Sequence, residues 1–150
     1  YVRQKHNLLI GERTAEEIKK KIGAVMDLEE EECIEISGRN ALNGLPRDIK
    51  ICSSEIVEAL GDLVQQIIEE VKVILEKTPP ELSSDIKRKG LYITGGGALL
   101  RGIDKKISEN LNLNVTVSED PLNSVINGIQ VLLKNFDVYK KVLISPESDY

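Results

Sequence analysis

The chain has 150 residues, of which 41% are hydrophobic and 30% charged; this excludes wholesale disorder and allows burial of roughly two-thirds of the unfolded surface. A net charge of −5 and 3% aromatic residues argue against nucleic-acid binding by a global positive field or by stacked rings. One histidine and two cysteines make neither a zinc site nor a disulfide scaffold, and no apolar run reaches the ~20 residues of a membrane span.

The stretch Tyr1–Ile10 is short and mixed, and could end a helix begun upstream; an opening Tyr1 rather than Met suggests a piece of a longer protein. A helix is expected from Thr14, with Thr14 as cap, Glu16 and Glu17 in the first turn, and Ala15, Ile18 and Ile22 on one face. Gly23 could close it. The acidic run Glu29–Glu32 reads as a solvated turn. Cys33–Ile36 and Asp48–Ile51 alternate apolar and polar residues, and Asn43-Gly44 between them signals a hairpin, so a small antiparallel sheet of two or three strands is expected. Cys33 and Cys52 fall on strands that could pair; buried free thiols are the expectation.

Ser53 or Ser54 could cap a long helix. Its apolar residues from Ile56 to Leu75 recur at spacings of three, four and one, as one continuous stripe, until Pro79-Pro80 stops it. A short helix could follow at Ser83–Ile86. Leu91–Thr94 reads as a buried strand running into Gly95-Gly96-Gly97, with a helix expected from near Ala98. Asn114–Val117 reads as the next strand. Pro121 opens a last helix with Val125, Ile129, Leu132 and Leu133 expected on its buried side. From about Gly90 the order strand, glycine loop, helix, strand, helix gives an α/β layered pattern.

The strand that ends in three glycines is the strongest local signal. Glycines there let a ligand approach the backbone, and in open α/β sheets ligands sit at the carboxyl ends of strands, so a nucleotide is the natural guest. The alternative is a tight turn with no ligand. The pattern is neither a P-loop nor G-x-G-x-x-G. Glu16 and Lys19, three apart on one helix face, could touch ribose hydroxyls and an adenine edge; the alternative is a surface ion pair. His6 has no partner that the sequence places beside it, and Asp85, Asp104, Glu119 and Asp120 have no spacing that argues for a metal or an acid–base pair.

Several segments resemble one family. Tyr1-Val2-Arg3, Asn7 to Lys19, Gly44-Leu45-Pro46, Leu75 to Leu82, Thr94 to Gly102 and Glu119 to Leu122 are similar, in order, to the bacterial actins MreB and Mbl. The resemblance covers nearly the whole chain. It implies a partial actin-like, ribonuclease-H-like α/β ATPase domain with an inserted small α+β lobe. Residues 1–27 and 78–150 would form the inner subdomain and 28–77 the outer one. It implies ATP or ADP with Mg2+ as cofactor in the whole protein, held here by Glu16, Glu17, Ile18 and Lys19 and by Gly96, Gly97, Ala98 and Leu99.

The resemblance also implies a filament former that partners itself and the cell-wall synthesis machinery, sets rod shape, and works in the cytoplasm at the inner face of the membrane. The family's phosphate-binding glycine hairpins, its water- and magnesium-positioning residues and its membrane-docking elements lie upstream. No Asp-x-Gly-Gly-Gly-Thr occurs here, so this chain is expected to be inactive in hydrolysis by itself. The run Asn123–Gly128 departs from the family's more usual small and cysteine-containing run. The alternative function is an interaction or polymer-contact module without a nucleotide; an unrelated α/β enzyme is argued against by the missing acid–base constellation.

Overall fold

The computed structural model describes residues 1–140. The chain opens with α1 (Val2–His6) and the two-residue β1 (Leu8–Leu9), joined through Asn7 in the left-handed region at φ 53. Then comes α2 (Glu12–Ile22), which starts two residues before the expected Thr14 cap. Its apolar face buries Ile18 and Ile22. Gly23 follows at φ −64, not in the left-handed region. A Cβ there would lie 2.1 Å from the Lys19 carbonyl oxygen, so close approach demands this glycine.

β2 (Cys33–Asn40) and β3 (Pro46–Cys52) pair antiparallel, and β1 adds to the outer edge of β2. The hairpin loop is longer than a two-residue turn. Of the Asn43-Gly44 pair only Gly44 takes a positive φ, 76. Asn40 and Asn43 side chains accept from the N–H groups of Leu42 and Leu45, at 2.8 and 3.1 Å, and complete the loop. The register sets Cys33 opposite Cys52, and the two form a disulfide. The expectation of free thiols is thereby corrected: 19 residues of separation hid a contact that only strand register creates.

The long helix α3 (Ser53–Glu76) follows β3 directly. Cys52, not Ser53 or Ser54, is its cap residue, and the Glu55 carboxylate accepts the Cys52 N–H at 3.1 Å. Ser53 is buried instead, and its N–H donates to the Glu32 carbonyl at 2.8 Å. The continuous stripe is only partly buried. Ile56, Val64 and Ile68 face the core, while Leu63, Ile67 and Ile74 are exposed.

After Pro79 come α4 (Pro80–Lys89), β4 (Leu91–Ile93), a 3-10 turn (Gly96–Leu99), α5 (Ile103–Leu111), β5 (Val115–Val117), α6 (Ser124–Lys134) and α7 (Phe136–Tyr139). β4 and β5 are parallel, linked by α5 as a crossover. The helix expected from Ala98 is thus a 3-10 turn, and the α-helix starts only at Ile103. The last helix also differs from expectation. Val125, Ile129 and Leu133 are exposed, and α6 buries no residue.

Two hydrophobic clusters form the interior. Leu8, Ile18, Ile22, Ile36, Ile49, Ile51 and Ile56 join α2, the three-stranded sheet and the start of α3. Val25, Val64, Ile68, Ile103, Ile107 and Val115 join the middle of α3 to α5 and β5. α3 spans both, and α2 shares its cluster with the sheet and not with the β4–β5 unit.

Candidate functional site

A backbone junction brings the two candidate segments together. The residues after α2 and those after the 3-10 turn meet in a parallel bridge between Ala24 and Arg101. The Val25 N–H donates to the Arg101 carbonyl at 3.0 Å, and the Arg101 N–H donates to the Gly23 carbonyl at 3.2 Å. Ala24 and Val25 are buried, so the bridge is shielded from competing water. The end of α2 is thereby held against the glycine turn, although the two are far apart in sequence.

The glycine turn has its own supports. Gly95 takes φ 83 and ψ 174, a conformation that an L side chain resists. Its N–H donates to the Pro121 carbonyl at 2.8 Å, and the Thr94 hydroxyl donates to the same oxygen at 2.9 Å. The turn is therefore pinned to the segment after β5.

A cavity of about 340 Å³ opens between these parts, near the lower end of the ~300–1,000 Å³ typical of ligand sites. Its lining includes Glu16, Lys19, Lys20, Gly96, Leu99 and Arg101. A Cβ on Gly96 would stand 3.6 Å from Leu122 Cδ2, in ordinary contact with a further lining residue, so only a side chain larger than alanine there would fill the wall. Four of the eight sequence-derived residues thus surround one cavity: Glu16, Lys19, Gly96 and Leu99.

The other four do not line it. Glu17 is exposed and pairs with Arg13 at 3.3 Å. Ile18 is buried in the first hydrophobic cluster. Ala98 is buried, and Gly97 is exposed beside the cavity residues with nothing within 4 Å of an added Cβ. Helical spacing accounts for the first two: residues at 16 and 19 share a face, whereas 17 and 18 are turned 100° or more away.

The charge arrangement is specific. The Glu16 carboxylate pairs with Lys20 at 2.7 Å, not with Lys19. Lys20 holds Glu16 below the usual carboxylate range, first by this hydrogen bond and then by its charge. Lys19 has no ion-pair partner among the described residues. The Arg101 guanidinium pairs with Glu32 at 2.5 Å and also donates to the Lys21 carbonyl. Glu16 and Glu32 thus answer Lys20 and Arg101, and Lys19 is the one lining cation left over among the described residues.

Lys20, Gly23, Leu100, Arg101 and Leu122 were absent from the sequence-derived set. Lys20 had a readable signal, since it stands four residues after Glu16. Arg101 and Leu122 reach the cavity only through the bridge and the pinned turn. His6, expected to lack a partner, finds one in tertiary structure: its Nε2 lies 2.5 Å from Glu55.

No helix among the described residues is long and apolar enough to cross a membrane. The one group among the described residues of three or more side chains spaced to hold a metal, Glu31, Cys33 and Cys52, lies at the disulfide and not at this cavity.

The MreB/Mbl protein family model matches residues 1–141. The chain is 47% identical over 137 residues to the cell shape-determining protein Mbl of Bacillus cereus, covering 91% of this chain and 41% of that protein. It is 44% identical over 147 residues to the cell shape-determining protein MreB of Escherichia coli, covering 98% of this chain and 42% of that one. Solved structures of MreB5 of Spiroplasma citri, bound to AMPPNP and to ADP, superpose with TM-scores of 0.88 and 0.89 at 39% identity, over 94% of this chain and 42–43% of theirs. A MamK double helical filament superposes at TM-score 0.63 and 25% identity, over 81% of this chain and 37% of that one. The chain therefore spans about two-fifths of the length of the relatives it matches, and its α/β fold is part of an actin-like domain. Taken with the matching segments along the sequence, these similarities establish that the chain belongs to the MreB/Mbl family of actin-like proteins.

Proposed function

We propose that this chain supplies one wall of an adenine-nucleotide site in a cell-shape-determining, filament-forming actin-like protein. The observation that carries the reading is the cavity that Glu16 and Lys19 share with Gly96 and Leu99. Lys19 offers an ammonium without an ion-pair partner among the described residues, suited to a phosphate or a ring nitrogen. The Glu16 carboxylate is kept ionised by Lys20 and is an acceptor suited to ribose hydroxyls. Gly96 and Leu99 supply a backbone and an apolar edge against which a base could pack. Support from relatives comes from the MreB5 proteins bound to AMPPNP and ADP.

The residues fit a nucleoside and its phosphates better than they fit Mg2+. The only carboxylate lining the cavity, Glu16, is already paired with Lys20. In the whole protein the nucleotide phosphates, not this lining, would hold Mg2+. In the same reading residues 1–27 and 78–150 belong to the inner actin subdomain and 28–77 to the outer one, with 141–150 outside the described residues. The whole protein would self-associate, work in the cytoplasm at the membrane face and organise cell-wall synthesis; the MamK filament supports self-association.

Calorimetric titration with ADP and ATP tests the nucleotide reading. Charge-assisted phosphate contacts are few in this half of the site, so a dissociation constant on the order of millimolar, about 4 kcal/mol, is expected. Lys19→Ala should abolish the heat, and Gly96→Val should do so by filling the cavity wall. Binding unchanged in both variants would refute the site. A micromolar constant would refute the half-site argument.

A further inference from the structure

Two cysteines and one histidine are too few for a zinc site on composition alone, but the fold adds a carboxylate to the cysteine pair. Glu31, Cys33 and Cys52 each offer one ligand atom, and the three atoms lie within 4.8 Å of one another. Cys33 and Cys52 are opposite residues of β2 and β3, so both side chains leave the same face of the sheet. Six further residue pairs, from Ile34–Ile51 to Arg39–Pro46, hold that register, and Ile36, Ile49 and Ile51 anchor it in the first hydrophobic cluster. The backbone ties the same ends without sulfur. The Ser53 N–H donates to the Glu32 carbonyl at 2.8 Å, and the Glu32 N–H donates to the Ser53 hydroxyl oxygen at 3.3 Å. Reduction of the disulfide therefore leaves two thiols facing each other beside Glu31. The Ser54 hydroxyl donates to Glu31 Oε1 and orients that carboxylate, while Oε2 accepts no hydrogen bond among the described residues. Glu31 is exposed and both cysteines are half-buried, so an ion can enter from solvent.

We propose that the reduced chain binds one zinc ion through the Cys33 and Cys52 thiolates and the Glu31 carboxylate, with water in the fourth position, and that the disulfide is the metal-free state of the same site. Ligand atoms around a tetrahedral zinc stand about 3.6–3.8 Å apart, so a small rotation of Glu31 and separation of the two sulfurs complete the set. The donors select the metal. Two soft sulfurs disfavour Mg2+ and Ca2+, which take oxygen ligands, and a hard carboxylate oxygen disfavours Cu+; zinc accepts both kinds. The exposed acidic run Glu29–Glu32 leads into the site and draws cations toward it. All the ligand residues come from the two ends of one hairpin, so no other part of an actin-like domain is needed to build the site. Reduction by a phosphine breaks the S–S bond: the sulfurs gain two electrons and two protons, and the phosphine takes up oxygen from water. Zinc then forms two Zn–S bonds and releases the two thiol protons. A small-molecule disulfide reverses this. It oxidises the two thiolates to the protein disulfide, becomes two thiols with uptake of two protons, and frees the ion.

Anaerobic titration of the full chain with Co2+, a zinc surrogate whose charge-transfer absorption reports thiolate ligation, tests this. After reduction by a phosphine and removal of the reductant, the chain should take up one equivalent of cobalt, and Zn2+ should displace it. The oxidised chain should show no such absorption, and Cys33→Ser should lose it. Glu31→Gln keeps both thiols and should weaken binding at least about tenfold, a loss that even an outer partner of a metal site causes. Circular dichroism of the reduced, metal-free chain reports whether it stays folded; an unfolded chain should regain its spectrum with Zn2+, because the binding energy is then folding energy. Urea midpoints should rise with Zn2+ in the reduced chain and stay unchanged in the oxidised one. No thiolate–cobalt absorption in the reduced chain, equal absorption in the oxidised chain, undiminished binding in Glu31→Gln, or an unfolded chain that zinc does not restore would overturn the proposal.

Discussion

Gly95 separates backbone strain from packing. It holds φ 83 and ψ 174, a region occupied without strain only by glycine, and the penalty for another residue is about 1–3 kcal/mol. A Cβ there would meet nothing within 4 Å, so Gly95→Ala should cost that strain and nothing else. For a chain of this size each kcal/mol lowers the melting temperature by roughly 2–4 °C. Gly97 also meets nothing within 4 Å and has no positive φ. Gly97→Ala should therefore stay within about 0.5 kcal/mol of the parent chain.

Gly90 completes the series. Its φ is 79, and a Cβ would lie 2.5 Å from the Asn114 carbonyl oxygen. That oxygen accepts the Leu91 N–H at 2.8 Å where β4 begins to pair with β5. Gly90→Ala must pay for strain and also displace a strand, so it should be the most destabilised of the three. Urea unfolding of the parent and the three variants, with m-values compared, measures the order. Equal midpoints for the Gly95 and Gly97 variants, or a Gly90 variant no worse than the Gly95 one, would refute the reasoning.

Other outcomes follow from the same contacts. Reduction of Cys33–Cys52, which closes a separation of 19 residues, should lower stability by about 3 kcal/mol on loop entropy; urea midpoints with and without dithiothreitol measure it, and a Cys33→Ser chain should show no such difference. Lys5 and Tyr1 hydrogen-bond the Glu58 carboxylate, at 2.6 and 2.7 Å, and hold it below the ordinary glutamate value of 4.5. The same carboxylate raises Lys5 above 10.5. The Glu58 contribution is present above 4.5 and lost as pH falls through the depressed value; the Lys5 contribution is present below 10.5 and lost as pH rises through the raised one. Glu58→Gln should flatten both limbs of a stability–pH profile, and so should high salt, because the pair is exposed.

The linear sequence alone carried the family and many of the elements, though not β1 or the 3-10 turn at Gly96–Leu99. Alternation in Cys33–Ile36 and Asp48–Ile51, three-and-four spacing through Ile56–Leu75, and the Pro79-Pro80 stop are all local, and local patterns survive without knowledge of what packs where. The helix-face argument that set Glu16 beside Lys19 was equally local, and both line the cavity. What tertiary structure decided was which side of each pattern is covered. A periodic stripe marks a helix face but not its partner, so the apolar faces of α6 and part of α3 are left uncovered among the described residues. Register set Cys33 opposite Cys52, and a one-residue slip would have parted them. The site itself depends on the Ala24–Arg101 bridge. That contact joins segments with no shared pattern, because backbone hydrogen bonds between loops carry no side-chain signature.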